Sequence, residues 1–370
     1  MHKIQIRPKL AGSRALSKYI RSIDKNRYYS NFGPLYNLAK KKIIKDFNLK
    51  KNSVIFTSSG HSSIAACFTF LRENSSKKYI LVPSFNFYSG PQAIINSGFE
   101  PYFIDINLTN FSINFDDIEK AFKKLRGNIA GILAVSPFGY PLDIKKLNSI
   151  QKKFKTKIIY DAADAFINFD KKIDKSEILI CCSFHPTKTL PANESGLIIC
   201  PKKNYENLKS VISFGCKNKN RDVYIKGFNG KFSEYDAAIF LANYEFKNNI
   251  KKIVTNNNKY FSKKIKQLNN NLIYIHKDFG NKWISSRVCC ISNKIGYKIL
   301  KEKFYKLGIQ IYSGWNDLPI HLHTLFKNKK KTKLKNTLFI KDKFFIIPLN
   351  IDIKKKQIDF IISSIEKIFK

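Results

Sequence analysis

No apolar run in the 370 residues approaches the ~18 needed to cross a membrane. The start, Met1-His-Lys-Ile-Gln-Ile-Arg-Pro8, has no apolar core of the kind a secretory leader carries, so a cytoplasmic protein is expected. No Cys-x-x-Cys pair occurs among the seven cysteines, Cys67, Cys181, Cys182, Cys200, Cys216, Cys289 and Cys290. An odd count in mostly apolar segments argues for buried reduced thiols rather than disulfides or a zinc site, and no metal is expected. The adjacent pairs point to opposite faces of a strand and could not easily share an ion. Acidic residues are scarce, 27 against 67 lysines and arginines, a formal net charge of +40. Such a charge ordinarily suggests nucleic acid as a partner. Lysine, asparagine and isoleucine are all abundant together, however, as in an A/T-rich coding sequence, and no nucleic-acid-binding motif accompanies the charge. The lysines read as solvated helix faces that favour anionic substrates.

What is present indicates a globular protein, 44% hydrophobic and 14% aromatic, long enough for two domains. After a helical segment interrupted at Gly33-Pro34, strands at 54–57, 79–83, 101–105, 129–135 and 157–161 alternate with helices at 62–71, 91–97, 116–125 and 143–154. This alternation predicts an α/β domain with a mostly parallel sheet flanked by helices, over residues 1–245. Long helices over 233–268 lead into a smaller α+β domain, 246–370. It has strands near Ile273, Val288 and Phe345, and an exposed basic loop at 327–335.

Ligands in such sheets gather at the carboxyl ends of strands. Four features fall there. Ser58-Ser-Gly-His-Ser-Ser63 forms a strand-to-helix turn whose free N–H groups suit a phosphate, or simply a capped helix start. Pro83-Ser-Phe-Asn-Phe-Tyr-Ser-Gly90 holds aromatics in a loop, where a ring could stack on a flat cofactor or belong to the core. Asp161, followed by small alanines, ends a strand, and burying it calls for a cationic partner; it could also cap a turn. Lys188 lies in a turn between the apolar strands 178–182 and 196–200, where burial favours a neutral, nucleophilic amine. By itself that pattern also fits a strand-end lysine reaching to water. Together the four match the needs of pyridoxal 5′-phosphate: phosphate turn, ring face, acid for the ring nitrogen, and amine for covalent attachment.

The order of motifs resembles the DegT/DnrJ/EryC1/StrS family of sugar aminotransferases, which are fold-type I pyridoxal-phosphate enzymes. The resemblance rests on Val82-Pro-Ser-Phe-Asn-Phe87, Gly98-Phe-Glu-Pro-Tyr-Phe-Ile-Asp105, Phe138-Gly-Tyr-Pro141, Asp161-Ala-Ala163, Ser183-Phe-His-Pro-Thr-Lys188, Gly227-Phe-Asn-Gly-Lys-Phe-Ser-Glu234 and Pro319-Ile-His-Leu-His323. It implies Lys188 as the Schiff-base lysine and proton shuttle, and Asp161 on the pyridine nitrogen. Phe87 would lie on the ring face, Asp164 near the phenolic oxygen, and Gly60, His61 and Ser183 around the phosphate. Asn229 would reach the cofactor of a second subunit, making an obligate homodimer with shared active sites. His185, Lys231 and His321 would meet the sugar nucleotide or the amino donor. The implied reaction moves an amino group from L-glutamate to a nucleotide-linked 4-keto-6-deoxy sugar, closest to the subgroup acting on dTDP-4-keto-6-deoxyglucose, for surface-polysaccharide synthesis. Keeping Lys188 where dehydratases of the family have histidine argues for transamination.

Three positions depart from the family's pattern. Asp164 stands where glutamine or histidine is usual, and a carboxylate beside the phenolic oxygen must be protonated, turned away or paired with a cation. His61 replaces a threonine, and Ser136-Pro137 stands near a more usual histidine. The alternatives these leave are a family member acting on another keto sugar, and a cofactor-binding protein with lost catalysis and a regulatory role.

Overall fold

The structure, a computed structural model, describes residues 4–217, 222–268, 272–315 and 317–369. Helices α1 (Ser13–Asn26) and α2 (Pro34–Phe47) precede the first strand. Pro34 fills the first turn of α2, where its missing N–H costs nothing. The carboxylate of Glu234 accepts the next two N–H groups, Tyr36 at 2.9 Å and Leu35 at 2.7 Å.

Then come β1 (Asn52–Thr57), α3 (Gly60–Glu73), β2 (Tyr79–Pro83), α4 (Ser89–Asn96), β3 (Glu100–Ile104) and α5 (Phe115–Lys124). They are followed by β4 (Ile129–Val135), α6 (Ile144–Lys153), β5 (Lys157–Asp161), β6 (Leu179–Ser183), β7 (Gly196–Pro201) and α7 (Tyr205–Val211). After the short pair β8 (Cys216–Lys217) and β9 (Asp222–Val223) lie α8 (Glu234–Glu245) and α9 (Lys247–Gln267). The remainder is β10 (Ile273–Ile275), β11 (Arg287–Ser292), α10 (Tyr297–Lys306), α11 (Lys335–Ile340), β12 (Phe344–Pro348) and α12 (Lys355–Phe369).

Seven strands form one sheet in the order β1-β7-β6-β5-β4-β2-β3, and only β7 runs against the others. Most of these strands are buried along their whole length, which is why they read as continuous apolar runs rather than as an alternation. Val54 and Phe56 pack on one face with Tyr19, Ile43 and Phe240, from α1, α2 and α8. Ile55 packs on the other with Ile64, Phe68, Ile94 and Leu208, from α3, α4 and α7. Each fully buried aromatic or branched side chain contributes ~1.5–3 kcal/mol.

A second, antiparallel sheet, β10-β11-β12, is covered by Leu300 and Phe304 of α10 and by Ile358, Ile361 and Ile365 of α12. Ile4 bridges Ile309 beside it, so the start of the chain returns to this smaller sheet. Helix α9 spans both cores, with Val254 in the first and Phe261 in the second.

The basic stretch is largely the exposed loop expected, and it makes one contact with the large sheet. Its lysines face solvent, but its backbone lies along the outer strand of the large sheet, where Phe103 donates to the Lys330 carbonyl at 3.0 Å and accepts from Thr332 at 2.9 Å. Strand edges that are left open invite foreign pairing, and this segment covers one.

Candidate active site

The carboxyl ends of β5 and β6 bring the main candidates together. Asp161 pairs in register with Cys181, and beyond it Ala162 donates to the Cys181 carbonyl at 2.8 Å. Ser183 then donates to the Ala163 carbonyl at 3.2 Å, so the loop after β5 and the lysine loop are tied side by side. Gly60 opens α3 directly against Ser183: a Cβ built on it would lie 2.7 Å from that of Ser183. Ser59 caps α3 by accepting the Ser62 N–H at 3.0 Å. The N–H groups of Gly60 and His61, in the first turn, have no intrahelical partner and remain for an anion.

Asp161 is buried, and burial pushes its carboxyl up to about 6, against the pull of nearby Lys188 and the Ala163 N–H. Such an acid lacks a full cationic partner. Lys188 is the converse case: burial lowers its ammonium pKa, Asp164 opposes that and Arg287 adds to it. Its amine forms no ion pair among the described residues, so it is held toward the neutral form in a place that keeps some solvent access.

Asp164 resolves the first departure. It is buried and pairs with Arg287, Oδ2 to Nη1 at 3.4 Å, while its Oδ1 accepts the Thr189 N–H at 2.8 Å. Of the three outcomes open to a carboxylate here, pairing with a cation is the one adopted. Arg287, at the start of β11, is a residue the sequence did not single out. Its partner lies far along the chain, and an arginine opening an apolar strand carries no local sign of it.

The other candidates are distributed around this centre. Phe87 is 41% exposed and lies 3.8 Å from the Tyr88 ring, leaving a face open for stacking. His61 turns its ring to Ser89, 3.1 Å away. His185 folds over its own loop, Nδ1 to Thr187 Oγ1 at 2.9 Å and Nε2 to Glu194 at 3.3 Å. Burial lowers its pKa, with Glu194 opposing. His321 is buried against Ser84, not against Lys188, and burial lowers it to about 4, so it is neutral at pH 7. Asn229 and Lys231 lie on an extended segment beside β1, where Lys231 bridges Thr57 and the Gly230 carbonyl accepts from Ser58. Asn229 is exposed, and neither forms a hydrogen bond or ion pair with Lys188, Asp161 or Asp164. Ser136 donates to the Tyr140 carbonyl and so shapes the turn at Phe138-Gly139 rather than standing in for a histidine.

These residues fit pyridoxal phosphate: an amine whose pKa burial lowers, a buried acid with no ion pair among the described residues, and a bare glycine at a helix start. Fold and family membership make this a pyridoxal-phosphate-dependent aminotransferase of the α/β type. The chain belongs to the DegT/DnrJ/EryC1/StrS aminotransferase family, whose model matches residues 13–366. It is 24% identical over 365 residues, 95% of this chain and 94% of the other, to a Shigella dysenteriae dTDP-4-amino-4,6-dideoxy-D-glucose transaminase. A Bacillus subtilis 3-oxo-glucose-6-phosphate:glutamate aminotransferase is 30% identical over 213 residues, 55% of this chain and 46% of that one. In fold it is similar to a Bacillus cereus structure described as a PLP-dependent aminotransferase, with TM-score 0.89 at 24% identity over 98% of both chains. No described helix is long and apolar enough to cross a membrane.

Proposed function

We propose that this enzyme transfers an amino group from L-glutamate to the keto group of a nucleotide-linked 4-keto-6-deoxy sugar, with dTDP-4-keto-6-deoxyglucose as substrate. The observation that carries the reading is Lys188, held toward its neutral form beside a buried carboxylate, Asp161. Bound pyridoxal phosphate supplies an electron sink for the donor's α-carbon. Lys188 would attach the cofactor, and its free amine would move a proton as general acid and base. Asp161 holds the ring nitrogen protonated. The helix start at Gly60 and His61, with Ser183, binds the phosphate, and Phe87 covers the ring.

The sugar assignment is supported by the Shigella relative named above, which matches over nearly its full length. The net charge of +40 suits an anionic nucleotide sugar. We place His185, Lys231 and His321 toward that substrate. The exposed Asn229, which forms no hydrogen bond or ion pair with Lys188, Asp161 or Asp164, supports a homodimer in which it reaches the neighbouring cofactor. The exposed rings of Tyr28, Tyr29 and Tyr235 suit such a contact. Seven free cysteines suit the cytoplasm, and we set the domain boundary at 245/246, between α8 and α9. A keto-sugar phosphate, the substrate class in the name of the Bacillus subtilis relative, is the second reading.

Incubation with L-glutamate and each keto sugar, with mass analysis of the product, tests both. An amino sugar formed from the dTDP substrate supports the first reading, and one formed only from the sugar phosphate replaces it. Asp164 is paired with Arg287 rather than free, which favours an active enzyme over a cofactor-binding protein with lost catalysis.

A further inference from the structure

The pair formed by Asp164 and Arg287 also grips the backbone on either side of Lys188. Asp164 accepts the N–H of Thr189, and Arg287 Nη2 donates to the carbonyl of Thr187. Both side chains are buried, 5% and 7% exposed, and they come from different parts of the fold: the loop after β5 and the first residue of β11. A second bond runs alongside, from the Ser286 N–H to Thr189 Oγ1 at 3.1 Å. A buried ion pair adds little to stability by itself, since desolvation offsets the attraction. Here its hydrogen bonds end on the two residues adjoining the reactive lysine.

We propose that Asp164 and Arg287 act as a positioning brace for Lys188, fixing the peptide units on both sides of it and setting opposite charges near its amine. The inference rests on the reading that Lys188 carries the cofactor. The groups facing that amine are Asp161 from β5, Asp164 after it, Arg287 from β11, Glu194 from the segment before β7, and His185 from its own loop. Of the brace itself, Asp164 favours a cation at Lys188 and Arg287 disfavours one. The two members therefore act on the lysine nitrogen in opposite directions, whereas a pair that only held the fold would move neither midpoint.

The test is a pH titration of the visible absorbance of the holoenzyme. Asp164→Asn should lower the midpoint at which the lysine-bound cofactor loses its proton, and Arg287→Gln should raise it, each by about 0.5–1 unit. Shifts of the same sign, or none, overturn the brace. Either single change leaves a buried charge without its partner, so the double variant Asp164→Ala/Arg287→Met supplies the second arm. It removes the brace without leaving a buried charge unpaired. It should bind pyridoxal phosphate at least about tenfold more weakly, with a midpoint near that of the unaltered protein. Unchanged affinity overturns the proposal. Failure of the underlying reading looks different: the absorbance band then persists in Lys188→Ala.

Discussion

Gly60 and Ser183 meet at the mouth of the site so closely that a methyl group on the glycine would sit 2.7 Å from the serine Cβ and 3.0 Å from its Oγ. The first turn of α3 and the end of β6 are thereby held together, and both belong to the proposed phosphate cradle. Alanine favours a helix, but here it must displace Ser183. Gly60→Ala is expected to weaken pyridoxal phosphate binding about tenfold or more and to cost ~1–3 kcal/mol of stability from overpacking. Titration of the cofactor by absorbance, beside a denaturant melt, checks both.

Asp161 gives the cofactor-free protein a definite pH dependence. Its carboxyl is raised to about 6 by burial, above the ordinary 3.8, so the folded state binds the proton more tightly than the unfolded one. This contribution is present below about pH 4 and is lost as pH rises through 6, up to ~3 kcal/mol in all. Comparing denaturant midpoints of Asp161→Asn with those of the unaltered chain from pH 4 to 7 should show the variant gaining relative stability as pH rises. With cofactor bound, the variant should lose activity by about 10²-fold or more, since amide cannot hold the ring nitrogen protonated.

His321 works in the opposite sense. Burial, with Lys331 assisting and Asp105 opposing, lowers it to about 4 from 6.5, so the folded state excludes a proton that the unfolded chain accepts. Its contribution is whole above pH 6.5 and is lost as pH falls toward 4, ~3 kcal/mol at most. His321→Asn should therefore be less sensitive to acid than the unaltered protein. The slopes of the Asp161 and His321 variants, measured together, should carry opposite signs.

Glu234 belongs to a motif with proposed site residues, yet what it touches is the start of α2. Replacing it by alanine strands the N–H groups of Leu35 and Tyr36, both buried. Glu234→Ala should cost ~1–3 kcal/mol, read from the melting curve. Glu234→Gln, which keeps one acceptor, should cost less.

The α/β alternation was legible because each strand is a short apolar run bounded by turn residues, and Asp161 and Lys188 stood out because they sit where those runs stop. What was not legible depended on partners distant in the chain. The reversal of β7 follows from its pairing with β1 and β6 and leaves no trace in its own residues. The exposed loop at 327–335 was legible from its charge, but its backbone pairing to Phe103, far away in the chain, was not. The bond between His321 and Ser84 joins segments far apart in the chain and leaves no sign in either. Arg287 was missed for the same reason: its meaning lies in Asp164, Thr187 and Thr189. Asp164, visible as a departure, could be recognised as half of a pair only once the other half was in place.

The central claim is that Lys188 carries the cofactor. Reduction of the holoenzyme with borohydride followed by peptide mass mapping tests it directly. The reduced pyridoxal-phosphate adduct should appear on the peptide containing Lys188, and none should appear in Lys188→Ala. An adduct on another lysine of the unaltered enzyme, with Lys188 unmodified, would contradict it.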